Sequence, residues 1–494
     1  MKTYFEQDFE GFVSDFIDTH FVRDGERELF FLDGSLHYFN GTYYETVNDA
    51  HRGFMALVRE YVKTLSLTEK RGKPVLTPTS PSFYKNFLKT AAALCVPSEN
   101  ELQSFRQPDK DIVPGKTKAY RISTGQFEPH RRRNRNRYVL NYDVAEDDRE
   151  PEVWQEFFNA AQMGKEQQLS WWRQLSVIVM RDNRHHRIFY GIGNPRSGKG
   201  TTTAIATEFF GKSGVAAVPR SISSGSHVAT VLVGKSLLTI NDMKFDKHVN
   251  NCFIQILLNL IGEDAITINP KHKDMFDYYP EANIMITSNE IPNFRGNLSG
   301  LDGKIVFTVF QRGEKPVDLT LKKRMLDTMP YIIRKAIKMY PETVESGYDF
   351  DTERGKIIRD QFAESASVCI RYINEYCVLG KDFNDSSQDV YDEFVKYVFK
   401  QGEHKPTMTQ FQNEIMTHFL GKIGKTRFNK RGGTKVMVLT GLHRIWRGKT
   451  VNDPVPKGPP YNPFPTRIDS PSTPRVDDEN EDEVYRCSGE DVPF

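Results

Sequence analysis

Three features of the chain predict an α/β fold. Short apolar runs that end in polar residues, Ile188 to Ile192, Leu237 to Ile240 and the stretch ending in Ser288-Asn289, alternate with amphipathic segments. The first of these runs turns through Gly193-Asn194-Pro195-Arg196-Ser197-Gly198-Lys199 into helix-forming residues, the strand-loop-helix order that a phosphate-binding loop requires. Aromatic and β-branched residues around turn dipeptides precede this centre, and a basic region rich in helical and hairpin signals follows it.

Residues 1–145 read as a mixed α/β region. LFFLDGSLHYFNGTYYETV has Asp33-Gly34 and Asn40-Gly41 at hairpin spacing, and helical patterns follow from about Asp49 and Ser82. Near its end Arg131, Arg132, Arg133, Arg135 and Arg137 crowd into seven positions, the pattern of a solvated loop or of a contact to a phosphate backbone. Residues 146–186 read as a helical segment, with Trp154, Phe157, Phe158 and then Leu169, Trp172, Leu175 at core spacing.

Residues 187–345 carry the chemistry. Gly193 and Gly198 let the backbone turn its N–H groups around phosphate oxygens, the following helix adds positive potential, and the Lys199 ammonium can reach the terminal phosphates. Gly193, Asn194, Pro195, Arg196, Ser197, Gly198, Lys199, Gly200, Thr201 and Thr202 are therefore the expected ATP contacts. Gly200 stands where a Ser or Thr usually follows the lysine to bind Mg²⁺, which leaves Thr201 as the nearest hydroxyl for that ion. The second apolar run ends in Asn241-Asp242, and a carboxylate there can hold Mg²⁺ or orient water, with Asp246 four residues on. An amphipathic helix, the turn Gly262-Glu263-Asp264 and a hairpin carrying Lys271, His272 and Lys273 come next, and Asn289 then sits at a strand tip where its amide can meet the γ-phosphate or its water.

Residues 346–384 read as a helical connector. Residues 385–447 combine two helices with a basic Gly-Gly hairpin and a strand, the pattern of a winged helix whose Lys430 and Arg431, with Lys422, Lys425, Arg427 and Lys435, can lie on a duplex backbone. Residues 448–494 are Pro-rich and then acidic (DDENEDE), a composition expected to stay disordered.

Composition excludes several classes. In 494 residues, no apolar run approaches the ~18 residues of a membrane span, and MKTYFEQDFEGFVSDF is too acidic for a signal peptide. Cys95, Cys252, Cys369, Cys377 and Cys487 form no CxxC pair, so a reducing, cytoplasmic setting without zinc ribbon or disulfide framework is expected. Net charge is +2, with basic clusters inside the chain and acids near its end.

From about Glu152 to Tyr340 the sequence resembles the superfamily 3 helicase domain of phage, plasmid and poxvirus primase-helicases, an AAA+-related fold. GNPRSGKGT resembles the family's Walker A, LLTIND its Walker B, LLNLIGEDAITINPKHKDMF its basic-hairpin motif and IMITSNEIPNF its motif C with the sensor asparagine. The resemblance implies catalytic roles for Lys199, Asp242 and Asn289, and a DNA-tracking role for Lys271, His272 and Lys273. Lys304 stands where the family usually has the arginine that reaches into a neighbouring subunit's ATP, so Lys304, or else Arg295 or Arg312, is the expected trans-acting cation.

The function expected is that of an ATP-dependent replicative DNA helicase of a phage, plasmid or related mobile element. It would act in the host cytoplasm as a homo-oligomeric, hexamer-like ring on single-stranded DNA, with ATP and Mg²⁺, beside a separate primase or polymerase. The rival is an origin-binding initiator that uses ATP to assemble without unwinding; a small-molecule kinase is a third reading, opposed by the motif C stretch and the basic C-terminal region.

Overall fold

The aromatic run near the N-terminus folds as a meander of β1 (Leu29–Leu32), β2 (Ser35–Phe39) and β3 (Tyr44–Val47). Asp33 and Gly34 both take positive φ, 49° and 70°, the left-handed pair that a two-residue hairpin turn demands. The Asn40 side chain accepts the N–H groups of Thr42 and Tyr43, which closes the second turn. The structure is a computed structural model that describes residues 3–4, 9–47, 51–63, 66–67, 69–70, 73–74, 81–217, 231–242, 251–262, 265–268, 275–291, 301, 303–313, 316, 318–403, 405–429 and 435–444. All that follows concerns those residues, within the compact unit Met1–Arg444.

Around the meander lie α1 (Phe9–Phe21), α2 (Arg52–Lys63) and α3 (Pro81–Leu94), over a core of aromatic rings from Phe12, Phe16, Phe54 and Phe87, while α4 (Glu99–Arg106) packs Phe105 against Phe30 and Tyr44. A small antiparallel sheet, β4 (Ile112–Pro114), β5 (Ala119–Arg121) and β6 (Gln126–Glu128), leads to the arginine cluster. Here the structure corrects the sequence reading for three of the five arginines. Arg132 pairs with Asp24 at 2.8 Å and Glu26 at 2.9 Å. Arg135 stacks over Phe30 and Phe105 and donates to the Tyr44 hydroxyl. Arg137 is largely buried between Asp33 and Glu281. Their partners lie about a hundred residues or more away in sequence (|i−j| 91–144), so no local pattern reveals them; only Arg131 and Arg133 remain exposed.

Helices α5 (Glu152–Ala160) and α6 (Lys165–Val179) then deliver the chain to a five-stranded sheet. Its strands are β7 (Ile188–Gly193), β8 (Val215–Ala217), β9 (Leu237–Ile240), β12 (Asn283–Ser288) and β13 (Ile305–Phe310), with α7 (Lys199–Phe210) after β7, α8 (Asn251–Gly262) after β9, and the hairpin β10 (Ile266–Ile268) and β11 (Phe276–Tyr278) before β12. All neighbours are parallel, in the order β8-β9-β12-β7-β13. Parallel strands covered on both faces read as near-continuous apolar runs, and every residue of β7, β9, β12 and β13 is buried, the few polar ones such as Asn283, Thr287 and Thr308 being held by hydrogen bonds. Phe189, Met285 and Val306, in register across three strands, join the core built by α5, α6, α7 and α10 (Met329–Glu345), which follows the short α9 (Leu321–Leu326). On the other face Phe307 packs on Phe362 of α11 (Glu353–Ala366), ring centroids 5.8 Å apart.

Helix α6 departs from the expected stripe. Leu169 is 36% exposed, whereas Trp171, Trp172 and Leu175 are buried together with the polar Gln167, Ser170 and Gln174. Those three polar side chains bond the Val309 carbonyl (3.1 Å), the Phe350 carbonyl (2.6 Å) and the Thr308 hydroxyl (2.8 Å). A buried helix stripe of this kind is tolerable because each group is satisfied, and it fixes the helix in register on β13.

At the start of the sheet, the His185 ring accepts the Arg187 N–H at Nδ1 (2.9 Å), which leaves Nε2 to donate to Asn283 at 2.8 Å. Burial holds its pKa down to about 4 from the ordinary 6.5. A group whose folded pKa is depressed adds stability above its unfolded value and loses it as pH falls towards the folded one. The core is therefore expected to lose stability between about pH 6.5 and pH 4, and His185→Gln should flatten that slope in denaturant melts. An identical slope in the variant would remove His185 from the account.

The C-terminal part joins α12 (Val368–Tyr376), β14 (Cys377–Ser386), α13 (Ser387–Gln401), α14 (Met408–His418), β15 (Gly424–Asn429) and β16 (Lys435–Arg444). The sheet is antiparallel, in the order β14-β16-β15, over a core that includes Tyr372, Phe394 and Phe411. This unit starts earlier than sequence reading places it: β14 lies mostly within the expected connector, 346–384, but pairs with β16, and Arg444 closes the pair on Asp385 at 2.9 Å. Its charged, Gly-containing sequence hides the strand. Ser386 caps α13, and a Thr407/Gln410 capping box starts α14. Among the described residues no helix is long and apolar enough to cross a membrane.

Candidate functional site

The order of the sheet decides where a ligand can sit. From β7 the chain crosses to β8 on one side, and from β12 it crosses over β7 to β13 on the other, so the loop after β7 opens at the point where connections diverge. Ligands of open parallel sheets bind there, outside the carboxyl ends of the strands.

The loop itself is shaped by close approach. A Cβ on Gly193 would stand 1.9 Å from the Phe310 carbonyl oxygen, so no larger residue fits beside β13. Gly198 has φ 108°, and a Cβ there would meet the Phe157 ring at 3.1 Å and Ala161 at 3.5 Å. Arg196 between them also takes a left-handed φ of 61°. The turn ends at α7, which starts at Lys199 with no side chain capping its N-terminus. Its first N–H groups are thus offered to an anion, with the positive end of the helix dipole behind them.

Lys199 is buried, and its ammonium donates to the carbonyls of Gly193 (2.5 Å) and Asn194 (2.8 Å). Burial lowers its pKa, against the opposing pull of the Asp242 carboxylate. Asp242 follows β9 with a left-handed φ of 49° and is exposed. Beside it the Asn241 amide oxygen accepts from the Thr287 hydroxyl at 3.3 Å, tying the β9 tip to β12. Asn289, just past β12, is exposed between two anchors: Ser288 Oγ accepts the Glu290 N–H, and the Tyr190 hydroxyl donates to the Glu290 carbonyl. Register aligns these tips, since Ile192 pairs with Ser288 and Ile240 with Ile286.

The remaining expected residues divide. Asn194, Pro195 and Arg196 are exposed on the loop, Gly200 is exposed in the first turn of α7, and Thr201 beside it is half-buried. The buried Thr202 hydroxyl accepts the Trp171 indole N–H at 3.0 Å, so it serves the loop's foundation. Ser197 is buried, and its Oγ has no hydrogen-bond partner among the described residues. Lys304 precedes β13, where its carbonyl accepts the Ile188 N–H at 2.8 Å. That is the opposite end of the sheet from the loop, about 17 Å away along a six-residue strand, so within one subunit Lys304 does not join Lys199. Lys271, His272, Lys273, Arg295, Asp246, Lys430, Arg431 and the tail 448–494 lie outside the described residues. The hairpin that would carry Lys271–Lys273 is present at its base, with Thr267 paired to Asp277. In the C-terminal part Lys422 and Arg427 are exposed, whereas the Lys425 ammonium is engaged by Gln412.

The donor set fits a nucleotide triphosphate: an orphaned hydroxyl, an uncapped helix start and a buried ammonium surround one glycine-framed loop. Among the described residues no cluster of three His, Cys, Asp or Glu side chains could hold a metal by itself. A Mg²⁺ ion held by phosphates and water needs only one or two protein ligands, for which Asp242 and Thr201 stand nearest. Sequence reading did not find Ser197 as an orphan or the backing of Gly198 by Phe157, because both depend on contacts between distant segments.

A family of unknown function (DUF5906) matches residues 191–300. A comparison with curated proteins finds none that matches. Solved structures similar to this chain include the A form apo structure of NrS-1 C terminal region-CTR, 14% identical with a TM-score of 0.46, covering 84% of this chain and 96% of that one. The apo structure of NrS-1 C terminal region (305-718) is similar at 12% identity and a TM-score of 0.43, covering 84% and 95%.

Proposed function

We propose that the chain is an ATP hydrolase that drives movement along DNA, in the manner of a ring helicase for the replication of a mobile element. The observation that carries this reading is the alignment of Lys199, Asp242 and Asn289 at the carboxyl ends of β7, β9 and β12. Asp242 lies two strand spacings from the loop, about 10 Å, a span that a triphosphate and its attacking water would fill. In this reading Lys199 leaves the loop carbonyls for the β- and γ-phosphate oxygens, and the uncapped start of α7 takes up the remaining charge. Asp242 orients water and metal, and Asn289 hydrogen-bonds the γ-phosphate or that water. When bound, Mg²⁺ would neutralise charge that develops on the phosphates.

The C-terminal order of one strand, two helices and a two-stranded hairpin supports the winged-helix reading and a duplex contact there. One observation favours the initiator alternative: beside Asp242 stands the amide of Asn241, held by the Thr287 hydroxyl, so among the described residues Asp242 is the one carboxylate at the β9 tip. Forked-duplex unwinding separates the two. Lys271→Ala with Lys273→Ala is expected to reduce strand displacement at least tenfold and to remove stimulation of ATPase by single strands, with basal ATPase retained. Normal displacement by the double variant would show that this hairpin does not grip DNA; no displacement by the wild type would favour the initiator.

A further inference from the structure

We propose that Arg312 binds a nucleotide phosphate of its own subunit, as a cis contact of the loop rather than as a cation donated to a neighbour; this rests on the nucleotide reading above. Arg312 lies two residues beyond Phe310, the last residue of β13, which pairs with Gly193, the first residue of the phosphate loop. The chain therefore leaves β13 at the loop edge of the sheet, whereas Lys304 enters it at the other. On both sides of Arg312 the backbone is pinned to the end of α5: Gln311 N–H donates to the Ala161 carbonyl at 3.1 Å and Gly313 N–H to Ala160 at 3.3 Å. Ala161 and Phe157 of that same helix end are the residues against Gly198. One short segment thus abuts the first glycine of the loop through Phe310 and the last through α5, and Arg312 is fixed between those contacts.

The charge of Arg312 is also uncommitted. Its side chain is exposed and, among the described residues, has no hydrogen bond or ion pair. Neighbouring arginines are engaged: Arg324 with Glu156 and Asp318, and Arg354 with the Gln162 carbonyl, Gln167 and Gln311. Arg354 thereby braces Gln311 and the α5 end from the outside. A guanidinium held beside a loop of converging N–H groups matches phosphate oxygens in a way a point charge does not.

The test uses the full chain. Arg312→Ala is expected to weaken equilibrium ATP binding about tenfold or more, with unchanged melting, and Arg312→Lys should recover part of the loss. Turnover is then measured in mixtures of Arg312→Ala with Lys199→Ala. A cis contact predicts no gain over the separate variants, because each loop lacks one of its own groups. Restored turnover in the mixture would show that Arg312 acts across a subunit boundary and would overturn the inference, as would unchanged ATP affinity in Arg312→Ala. Absence of ATP binding by the wild-type chain would instead sink the nucleotide reading and the inference with it.

Discussion

Lys199→Ala is expected to lower ATP turnover by on the order of 10²–10³-fold, the usual effect of removing a charge that is aimed at developing phosphate charge. The ammonium is buried at the loop and donates only to Gly193 and Asn194 carbonyls among the described contacts, so its removal takes away no core packing. Melting temperature should therefore change little. A second expectation separates chemistry from binding: Asp242 lies beside the loop rather than in it, so Asp242→Asn should keep ATP binding while turnover falls. Phosphate release at the wild-type rate by Lys199→Ala would remove this loop from the chemistry altogether.

Arg137→Ala is expected to destabilise the fold by about 3 kcal/mol, because it leaves Asp33 and Glu281 facing each other without their shared cation. Arg181 still pairs with Glu281 at 2.8 Å, which keeps the loss at the lower end of the range for broken buried pairs. The pair also joins the tip of the β1–β2 hairpin to the start of β12, so the variant should loosen the N-terminal region first. Arg133→Ala is the control: that side chain is exposed, and its removal should stay within about 0.5 kcal/mol. Denaturant melts of the two variants decide the matter. Equal stability, with weakened and less salt-dependent DNA binding in Arg137→Ala, would return the cluster to the phosphate-contact reading.

The legible parts of the molecule were those encoded locally. Asp33-Gly34 reveals its turn because only a few residue types accept paired positive φ, and β7 with its loop is visible because six buried residues must all be apolar before a glycine-framed turn. The three strand tips could be named from sequence, but not that β12 would lie between β7 and β9; that order follows from crossovers, which leave no local trace. Side chains whose role is set by distant partners were misread or missed. Arg132, Arg135 and Arg137 look like a basic patch until Asp24, Tyr44 and Glu281 come near, and β14 looks like a connector until β16 pairs with it. The register of β13, which sets the backbone of Arg312 at the loop edge of the sheet and that of Lys304 at the other, likewise leaves no local trace by which to choose among Lys304, Arg295 and Arg312.

The central claim is that the loop Gly193–Lys199 binds and hydrolyses ATP in the service of DNA movement. Phosphate release by the full chain, measured with Mg²⁺ and ATP in the presence and absence of single-stranded DNA, tests it most directly. The account predicts measurable release by the wild type, stimulated several-fold by the single strand and lowered on the order of 10²–10³-fold in Lys199→Ala. No release and no equilibrium binding of ATP at millimolar concentration, by a chain that melts cooperatively, would contradict it.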